Sequence, residues 1–180
     1  MERYVAFLRG MNLGNRRLTN DELRSEFKAL GFGEVATFRA SGNVIFEADR
    51  GSEASLTEKI EAGLGDGLGY EVPVFLRSAA AVVAIAAQEP FAAKLVKASK
   101  GKLQVSLLAK KPSAKDRKAV LALATDEDLL AIEGRELYWL PSGGISESEL
   151  NLKAIDKALG KGTIRTMGTI EQIAAKYCGA

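Results

Sequence analysis

The stretch LRGMNLGNRRLTNDEL, from Leu8 to Leu23, holds the residue types in this chain that are best suited to binding chemistry. It contains three arginines, three asparagines and two glycines, and it lies between an apolar segment and a helix start. Guanidinium groups beside free backbone N–H groups at a helix start suit an anion such as phosphate or carboxylate. In a purely structural interpretation the glycines shape a turn, and the arginines are solvated or paired with Asp21 and Glu22. The residues alone leave both interpretations open, because the stretch is neither a P-loop nor a dinucleotide fingerprint.

The chain contains no histidine and a single cysteine, Cys178. This removes the usual general base, the usual zinc ligand and every Ser-His or Cys-His pair. Any chemistry must come from carboxylates, lysine, arginine, tyrosine or hydroxyls, so we expect no metal and no cofactor. Whether the protein is an enzyme stays open at this point. One cysteine cannot form an internal disulfide, and no apolar run is long enough for a membrane span, so we expect a cytoplasmic protein without membrane contact.

Composition places the chain among soluble globular proteins. Its 180 residues, 47% hydrophobic and 27% charged, are enough for one full core or two small ones. The net charge is only +2, but basic residues are concentrated in one sector in which Asp116 is the only acid. Such a sector could attract nucleic acid, although a basic helix face is more often simply solvated. The sector comprises Lys94, Lys97, Lys100, Lys102, Lys110, Lys111, Lys115, Arg117 and Lys118.

The first half of the chain has clear start and stop signals. Alternating apolar residues predict a strand over residues 3–9, and Thr19 with Glu22 forms a capping box that predicts a helix ending at Gly31. Strands over 34–40 and 43–48 are joined through Ser41 and Gly42. A helix opened by Ser55 with Glu58 and a strand over 72–77 complete the order β-α-β-β-α-β.

The second half repeats this order of elements, without a residue-level repeat that we could identify. After a connecting helix near 79–88, the pattern predicts a strand over 102–109, a helix over 113–123, a hairpin turning at Gly134, a helix over 146–159, a strand over 163–167 and a last helix capped by Thr169. The sequence therefore predicts an α+β fold of two ferredoxin-like (βαββαβ) halves with antiparallel sheets, plus connecting and carboxy-terminal helices. The expected divisions are 1–77, a connecting helix and linker over 78–101, and 102–180.

This topology predicts where the opening stretch lies. In a βαββαβ unit the carboxyl ends of the first two strands emerge at the same sheet edge, which brings the loop from Arg9 to Leu18 beside the 39–43 hairpin. A small anionic or phosphorylated ligand is the partner expected at this edge. The predicted ligand-binding residues are Arg9, Gly10, Asn12, Gly14, Arg16, Arg39, Ser41, Gly42 and Asn43.

Three sequence blocks resemble those of a known family. They are L-R-G-M-N-L-G from Leu8, S-G-N from Ser41 and T-I-R-T-M-G-T from Thr163, and together they resemble the bacterial family called domain of unknown function 1697 over nearly the whole chain. The resemblance implies two ferredoxin-like halves and no established activity. The positions typical of the family are Arg9, Gly10, Asn12, Gly14, Ser41, Gly42, Asn43, Arg165 and Thr169.

The chain departs from the family pattern in two places. Glu149 stands where members tend to carry lysine, in a Ser-Lys-Leu block, and Thr166 stands where they tend to carry asparagine after Arg165. These departures weaken an anion role for the carboxy-terminal block. The stretch PSGGISESEL (141–150) is similar in outline to a phosphate cradle, but a capping box of Ser146 and Glu149 favours a structural role.

The sequence leaves three classes of function open. The favoured one is a protein that binds a small anionic ligand at the Arg9 and Arg39 edge. The first alternative is a nucleic-acid-binding module that uses the basic 94–118 region, with Phe7 and Phe46 on the first and third strands as stacking aromatics. The second alternative is a scaffold or self-association module without a ligand. The sequence does not predict an oligomeric state.

Overall fold

The computed structural model describes residues 1–10, 17–40 and 42–180, and these divide into two compact units. Unit 1 comprises 1–84 with 173–180, and unit 2 comprises 85–172. Each unit holds a four-stranded antiparallel sheet, so the α+β class is confirmed. Within the described ranges, no helix is both long and apolar enough to cross a membrane. The elements are β1 Glu2–Leu8, α1 Asn20–Ala29, β2 Gly33–Thr37, β3 Asn43–Ala48, α2 Glu53–Leu68, β4 Val74–Ser78, α3 Ala79–Ala86, α4 Ala93–Ala98, β5 Gln104–Leu107, α5 Ala114–Leu121, β6 Asp128–Glu133, β7 Glu136–Pro141, α6 Leu152–Leu159, β8 Thr163–Thr166 and α7 Met167–Tyr177.

The sheet of unit 1 has the strand order β2-β3-β1-β4, and its neighbouring strands are antiparallel. The central strand, β1, pairs with β3 on one side and β4 on the other, so that Phe7 lies between Asn43 and Phe75. The end of β1 therefore lies beside the start of β3. This register places the β2–β3 connection next to the residues that follow β1.

Alternation along β1 divides its side chains between two faces. Tyr4, Ala6 and Leu8 belong to a core that also contains buried residues of α1 and α2, such as Phe27 and Ile60. Helix α1 begins where the sequence predicts, because Thr19 and Glu22 form the capping box in both directions. The rigid core fixes the direction in which the chain enters and leaves the sheet edge.

The sheet of unit 2 has the order β6-β7-β5-β8. Strands β6 and β7 form the predicted hairpin, and Gly134 turns it with a φ of 57°. A core that includes Val120, Ile132, Trp139 and Ile155 lies between this sheet and the helices α5 and α6. The single tryptophan is therefore a core residue of unit 2.

Three predicted helix starts are wrong. The cap of α2 is Ser52, whose side chain accepts from Ser55 N, rather than Ser55 itself. The cap of α6 is Asn151, and a 3-10 turn over Ile145–Glu147 takes the place of the predicted Ser146 capping box. The hydroxyl of Ser148 causes this break, because it accepts from Leu150 N at 3.1 Å and donates to Asp128 Oδ1 at 2.8 Å, outside any helix.

Helix α7 follows β8 directly, and its predicted cap is also misplaced. The Thr166 hydroxyl accepts a hydrogen bond from Thr169 N, in the first turn, at 3.2 Å. The cap is therefore Thr166 and not the predicted Thr169. The short helix α4 has no side-chain cap hydrogen bond, so the sequence carries no start signal for it, and it was not predicted.

The two units share a detail that the sequence alone did not reveal. Arg77 in β4 and Arg165 in β8 are both buried, and each donates through Nη1 to the carbonyl of the preceding residue at 2.9 Å. Each pairs with a valine, Val5 or Val105, at the same place in the central strand. Each is followed by a hydroxyl residue that caps the next helix. The repeat therefore extends from element order to residues.

Candidate functional site

Three hydrogen bonds bring separate segments together at one edge of the sheet of unit 1. Leu8 N donates to Gly42 O at 2.8 Å, Arg9 N donates to Pro73 O at 3.1 Å, and Asn20 Nδ2 donates to Arg39 O at 3.3 Å. The end of β1, the β2–β3 connection and the start of α1 are thus neighbours. We call this region the Arg9 edge; its described residues are Arg9, Gly10, Arg39, Gly42 and Asn43.

The β2–β3 connection is closed by its own residues. Phe38 N donates to Asn43 O at 3.1 Å, and Asn43 Nδ2 donates to Phe38 O at 2.9 Å. Asn43 is fully buried, so its amide holds the connection shut and does not face solvent. The sequence predicted Asn43 as a ligand-binding residue, and in the structure its amide group is hydrogen-bonded to Phe38.

Among the described residues of this connection, two have positive φ. Gly42 has a φ of 80°, which suits glycine, but Arg39 has a φ of 59°, which costs a non-glycine residue roughly 1–2 kcal/mol. The Arg39 guanidinium carbon lies 5.4 Å from the centroid of the Phe38 ring. Strained backbone of this kind is found preferentially at binding and catalytic sites.

Arg9 is the charged residue of the edge whose environment is the most informative. It is half-buried, and within the described residues its guanidinium has no hydrogen bond and no ion pair. The acids that could have neutralised it are engaged elsewhere, since Asp21 pairs with Arg24 and Glu22 Oε2 accepts from Thr19 N at 2.8 Å. For Arg9, the pairing with Asp21 or Glu22 that the sequence left open does not occur.

The start of α1 adds little positive potential to the edge. Its Thr19 hydroxyl accepts from Glu22 N at 3.1 Å, and its first turn carries Asp21 and Glu22. Carboxylates at this position oppose the partial positive charge of the helix start. Any attraction of an anion to this edge therefore comes from the arginines and not from the helix.

Four of the predicted ligand-binding residues, Asn12, Gly14, Arg16 and Ser41, lie outside the described residues. A cavity of about 530 Å³ lies in unit 1, between α1 and the end of α2, and none of the five described residues of the Arg9 edge lines it. This cavity is therefore separate from the described residues of the predicted ligand-binding set. The cavity is lined by Arg17, Leu18, Glu22, Glu26, Gly67, Leu68 and Tyr70.

The carboxy-terminal block that resembles the family has structural contacts in this chain. Arg165 donates through Nη1 to Thr163 Oγ1 at 2.8 Å, and burial lowers the pKa of Arg165 to about 10. The hydroxyls of Thr166 and Thr169 are 3.0 Å apart at the start of α7. These contacts shape the strand-to-helix junction and account for both family-typical positions.

The aromatic residues needed by the nucleic-acid alternative are buried. Phe46 lies in the helix-covered core of unit 1, 5.4 Å from the Phe27 ring, and Phe7 is fully buried on the same sheet. The basic residues from Lys94 to Lys118 are exposed, but Tyr138 and Trp139 of unit 2 are buried. Neither pair of aromatics can stack on unpaired bases in this conformation.

The sequence missed a second polar site, in unit 2. The stretch 141–150 does form part of a cavity, of about 320 Å³, but carboxylates line it. The resemblance to a phosphate cradle is therefore misleading, because an anion would meet like charge here. The sequence signal for this site is weak, because the acids lie in two separate segments. Glu127 and Asp128 lie well before the Ser142-Gly143-Gly144 loop, and Glu147 and Glu149 follow it.

Comparison with known proteins identifies the family. A family model described as "Protein of unknown function (DUF1697)" matches residues 1–138. The chain belongs to this family. No curated protein matches it. Among solved structures, the conserved bacterial protein SP0830 from Streptococcus pneumoniae is similar with a TM-score of 0.74 and 21% identity, and 97% of each chain is covered. At this identity the likeness shows a shared fold across both units of this DUF1697 protein.

Proposed function

We propose that this protein binds a small anionic ligand, carrying a phosphate or a carboxylate group, at the Arg9 edge. The observation that supports the proposal is the Arg9 guanidinium, which is half-buried and has no partner among the described residues. A guanidinium in this state has lost part of its hydration without gaining a counter-charge. An oxyanion would supply that charge and accept two parallel hydrogen bonds.

The surrounding backbone supports the same ligand class. Gly10 is partly exposed, has positive φ and has no side chain, so a ligand can approach the main chain there. The strained Arg39 is held on the same connection by the buried Asn43. Hydrogen bonds to charged groups contribute about 1.5–3 kcal/mol, so loss of Arg9 should weaken an anion by roughly tenfold to 150-fold.

The test uses inorganic pyrophosphate as the probe and titration calorimetry as the measurement. Arg9→Ala should weaken pyrophosphate by at least about tenfold. The matched control is Arg50→Ala, which removes the same charge from the same unit. Arg50 follows β3 at the opposite end of the sheet, where Ala48 pairs with Glu2, about 20 Å away along β1. Its side chain is 88% exposed and lies 3.6 Å from Glu2, so its removal should leave the affinity unchanged.

Two outcomes would contradict the proposal. Equal weakening in both variants would mean that pyrophosphate responds to net charge and not to a site. Unchanged affinity in Arg9→Ala would place any anion elsewhere. Circular dichroism and thermal melting of the two variants check that each stays folded, which is expected because the Arg9 side chain makes no hydrogen bond within the described residues.

We also infer that each unit is a ferredoxin-like fold. Support comes from the β-α-β-β-α-β element order within each unit and from the strand orders β2-β3-β1-β4 and β6-β7-β5-β8. The domain divisions 1–77, 78–101 and 102–180 stay a proposal, as do a cytoplasmic location and a bacterial origin.

A further inference from the structure

Unit 2 carries a surface whose two halves have opposite charge, and this surface does not involve the Arg9 edge of unit 1. The first half is helix α4 with the two residues that follow it, and its charged side chains are Lys94, Lys97 and Lys100. The second half is the 3-10 turn with the two residues that follow it, and its charged side chains are Glu147 and Glu149. We call the two halves together the bipolar surface.

Two hydrogen bonds hold the halves side by side. Ser99 Oγ donates to Pro141 O, and Lys100 N donates to Ser142 O at 3.2 Å. Gly101 lies so close to the same loop that a Cβ on it would clash with Gly143 O. The lysines and the glutamates therefore lie on neighbouring segments of unit 2.

Each half combines an exposed aliphatic side chain with exposed charges. Leu95 is 48% exposed and Ile145 is 44% exposed. All five charged side chains of the bipolar surface are exposed, and none of them forms an ion pair within the described residues. Apolar side chains with charges around them have the arrangement of a protein interface, in which a polar rim surrounds a hydrophobic centre.

Helix α4 itself lacks the contacts that normally stabilise a short helix. It has six residues, none of them buried, and no side-chain cap hydrogen bond. A helix of this length is marginal in water unless an apolar face packs against something. A partner that covers Leu95 would supply that packing.

We propose that the bipolar surface binds a second copy of this chain in a two-fold dimer, in which α4 of each copy lies against the 3-10 turn of the other. A two-fold interface is self-complementary, so an axis along the boundary between the halves brings each half opposite the half of opposite charge. The lysines of α4 then face the glutamates of the second copy, and the exposed leucine faces its exposed isoleucine.

Other occupants fit this surface less well. The lysines would attract a nucleic acid or an anionic membrane, but both would meet Glu147 and Glu149 as like charge. An acidic protein segment would leave these glutamates and Ile145 uncovered. A second copy carries both charges in the required arrangement and covers the whole surface.

The experiment measures dimerisation of the full chain by sedimentation equilibrium. The α4 variant is Lys94→Glu/Lys97→Glu, and the turn variant is Glu147→Lys/Glu149→Lys. All four positions are exposed, so both variants should fold, and circular dichroism checks that they do.

The matched control is Lys110→Glu/Lys111→Glu, which makes the same charge change as the α4 variant at two exposed positions of the same unit. These lysines follow β5, whose last residue, Leu107, pairs with Glu136. Glu136 begins β7 and lies about 17 Å along that strand from Pro141, where the bipolar surface starts.

We expect the wild-type chain and the control to dimerise equally. The α4 variant and the turn variant should each raise the dissociation constant of the dimer at least about tenfold, because like charges then face each other. An equimolar mixture of these two variants should regain the wild-type affinity as a heterodimer, since each α4 again faces a turn of opposite charge. A mixture of the turn variant with the control has the same net charges and should form no heterodimer of that affinity.

Four results would overturn the proposal. They are a wild-type chain that stays monomeric at about 1 mM, equal weakening in the control, no recovery in the mixture of the α4 and turn variants, and equal recovery in the mixture with the control. A monomeric chain that binds a glutamate-rich peptide or anionic vesicles, and loses that binding in the α4 variant, would assign the surface to that partner instead of a second copy.

Discussion

Asp128→Ala should be among the more destabilising single changes in unit 2. The substitution removes the acceptor of the buried Trp139 indole N–H and of the Ser148 hydroxyl. Hydrogen bonds to a charged acceptor contribute about 1.5–3 kcal/mol each, while removal of a buried carboxylate also removes its unfavourable desolvation. The difference leaves an expected loss of roughly 2–4 kcal/mol in the free energy of unfolding.

Asp128→Asn is the matched control for this prediction. An asparagine oxygen at the same place still accepts from both Trp139 and Ser148, as neutral hydrogen bonds. The expected loss is about 1 kcal/mol or less, because the two buried donors keep a partner. The comparison separates the loss of the acceptor from the loss of the charge.

The assay is urea unfolding followed by tryptophan fluorescence. Trp139 is the only tryptophan of the chain and lies in unit 2, so its emission reports the unit in which the change is made. The reasoning is refuted if Asp128→Ala costs less than about 0.5 kcal/mol, or if Asp128→Asn costs as much as Asp128→Ala.

Two further changes test the packing of α2 and the state of the cysteine. Gly65→Ala should raise the free energy of unfolding by about 0.5–1 kcal/mol, because Gly65 lies inside α2 with open space around it. Gly63→Ala should raise it less or lower it, because the new methyl group would lie 2.3 Å from a Leu30 methyl carbon. Thermal unfolding measures the stability of both variants, and a larger increase in stability from Gly63→Ala than from Gly65→Ala would contradict the packing of α2 against Leu30. Burial raises the pKa of the Cys178 thiol despite the opposing Arg3 charge, so less thiolate is present at any given pH than for an exposed cysteine. Alkylation of the folded protein by iodoacetamide at pH 8 should therefore be slower than in denaturant and should accelerate as the pH is raised, and equal rates in both states would contradict this.

The fold was largely predictable because its local signals agree with its packing. The Thr19 capping box, the Gly134 turn and the alternation along β1 each fix one element, and the structure confirms them. Helix α6 was misplaced because the segment with the predicted cap forms a 3-10 turn, and Asn151 caps the helix instead. Ser146 fits a capping box in sequence, but Ser148 is the residue that reaches Asp128, twenty positions earlier, and this contact is not visible in sequence.

The candidate site was predictable only in part. Its location follows from topology, because the end of β1 and the start of β3 are neighbours in the register of the sheet. The individual roles depend on contacts between distant residues. The Asn43 amide reaches Phe38, and among the described residues Asp21 pairs with Arg24 and not with Arg9. Likewise, the acids of the unit 2 cavity belong to separate segments that only the fold brings together.

The most direct test of anion binding at the Arg9 edge is a titration of the ¹⁵N-labelled protein with pyrophosphate, followed by two-dimensional NMR. The proposal predicts saturable shifts that are largest at the backbone amides of Arg9, Gly10 and Gly42 and at the Nε–H of Arg9. It predicts small shifts at Arg50, on the far end of the same sheet. Shifts centred on the lysines from Lys94 to Lys118, or the absence of any saturable shift at millimolar pyrophosphate, would contradict it.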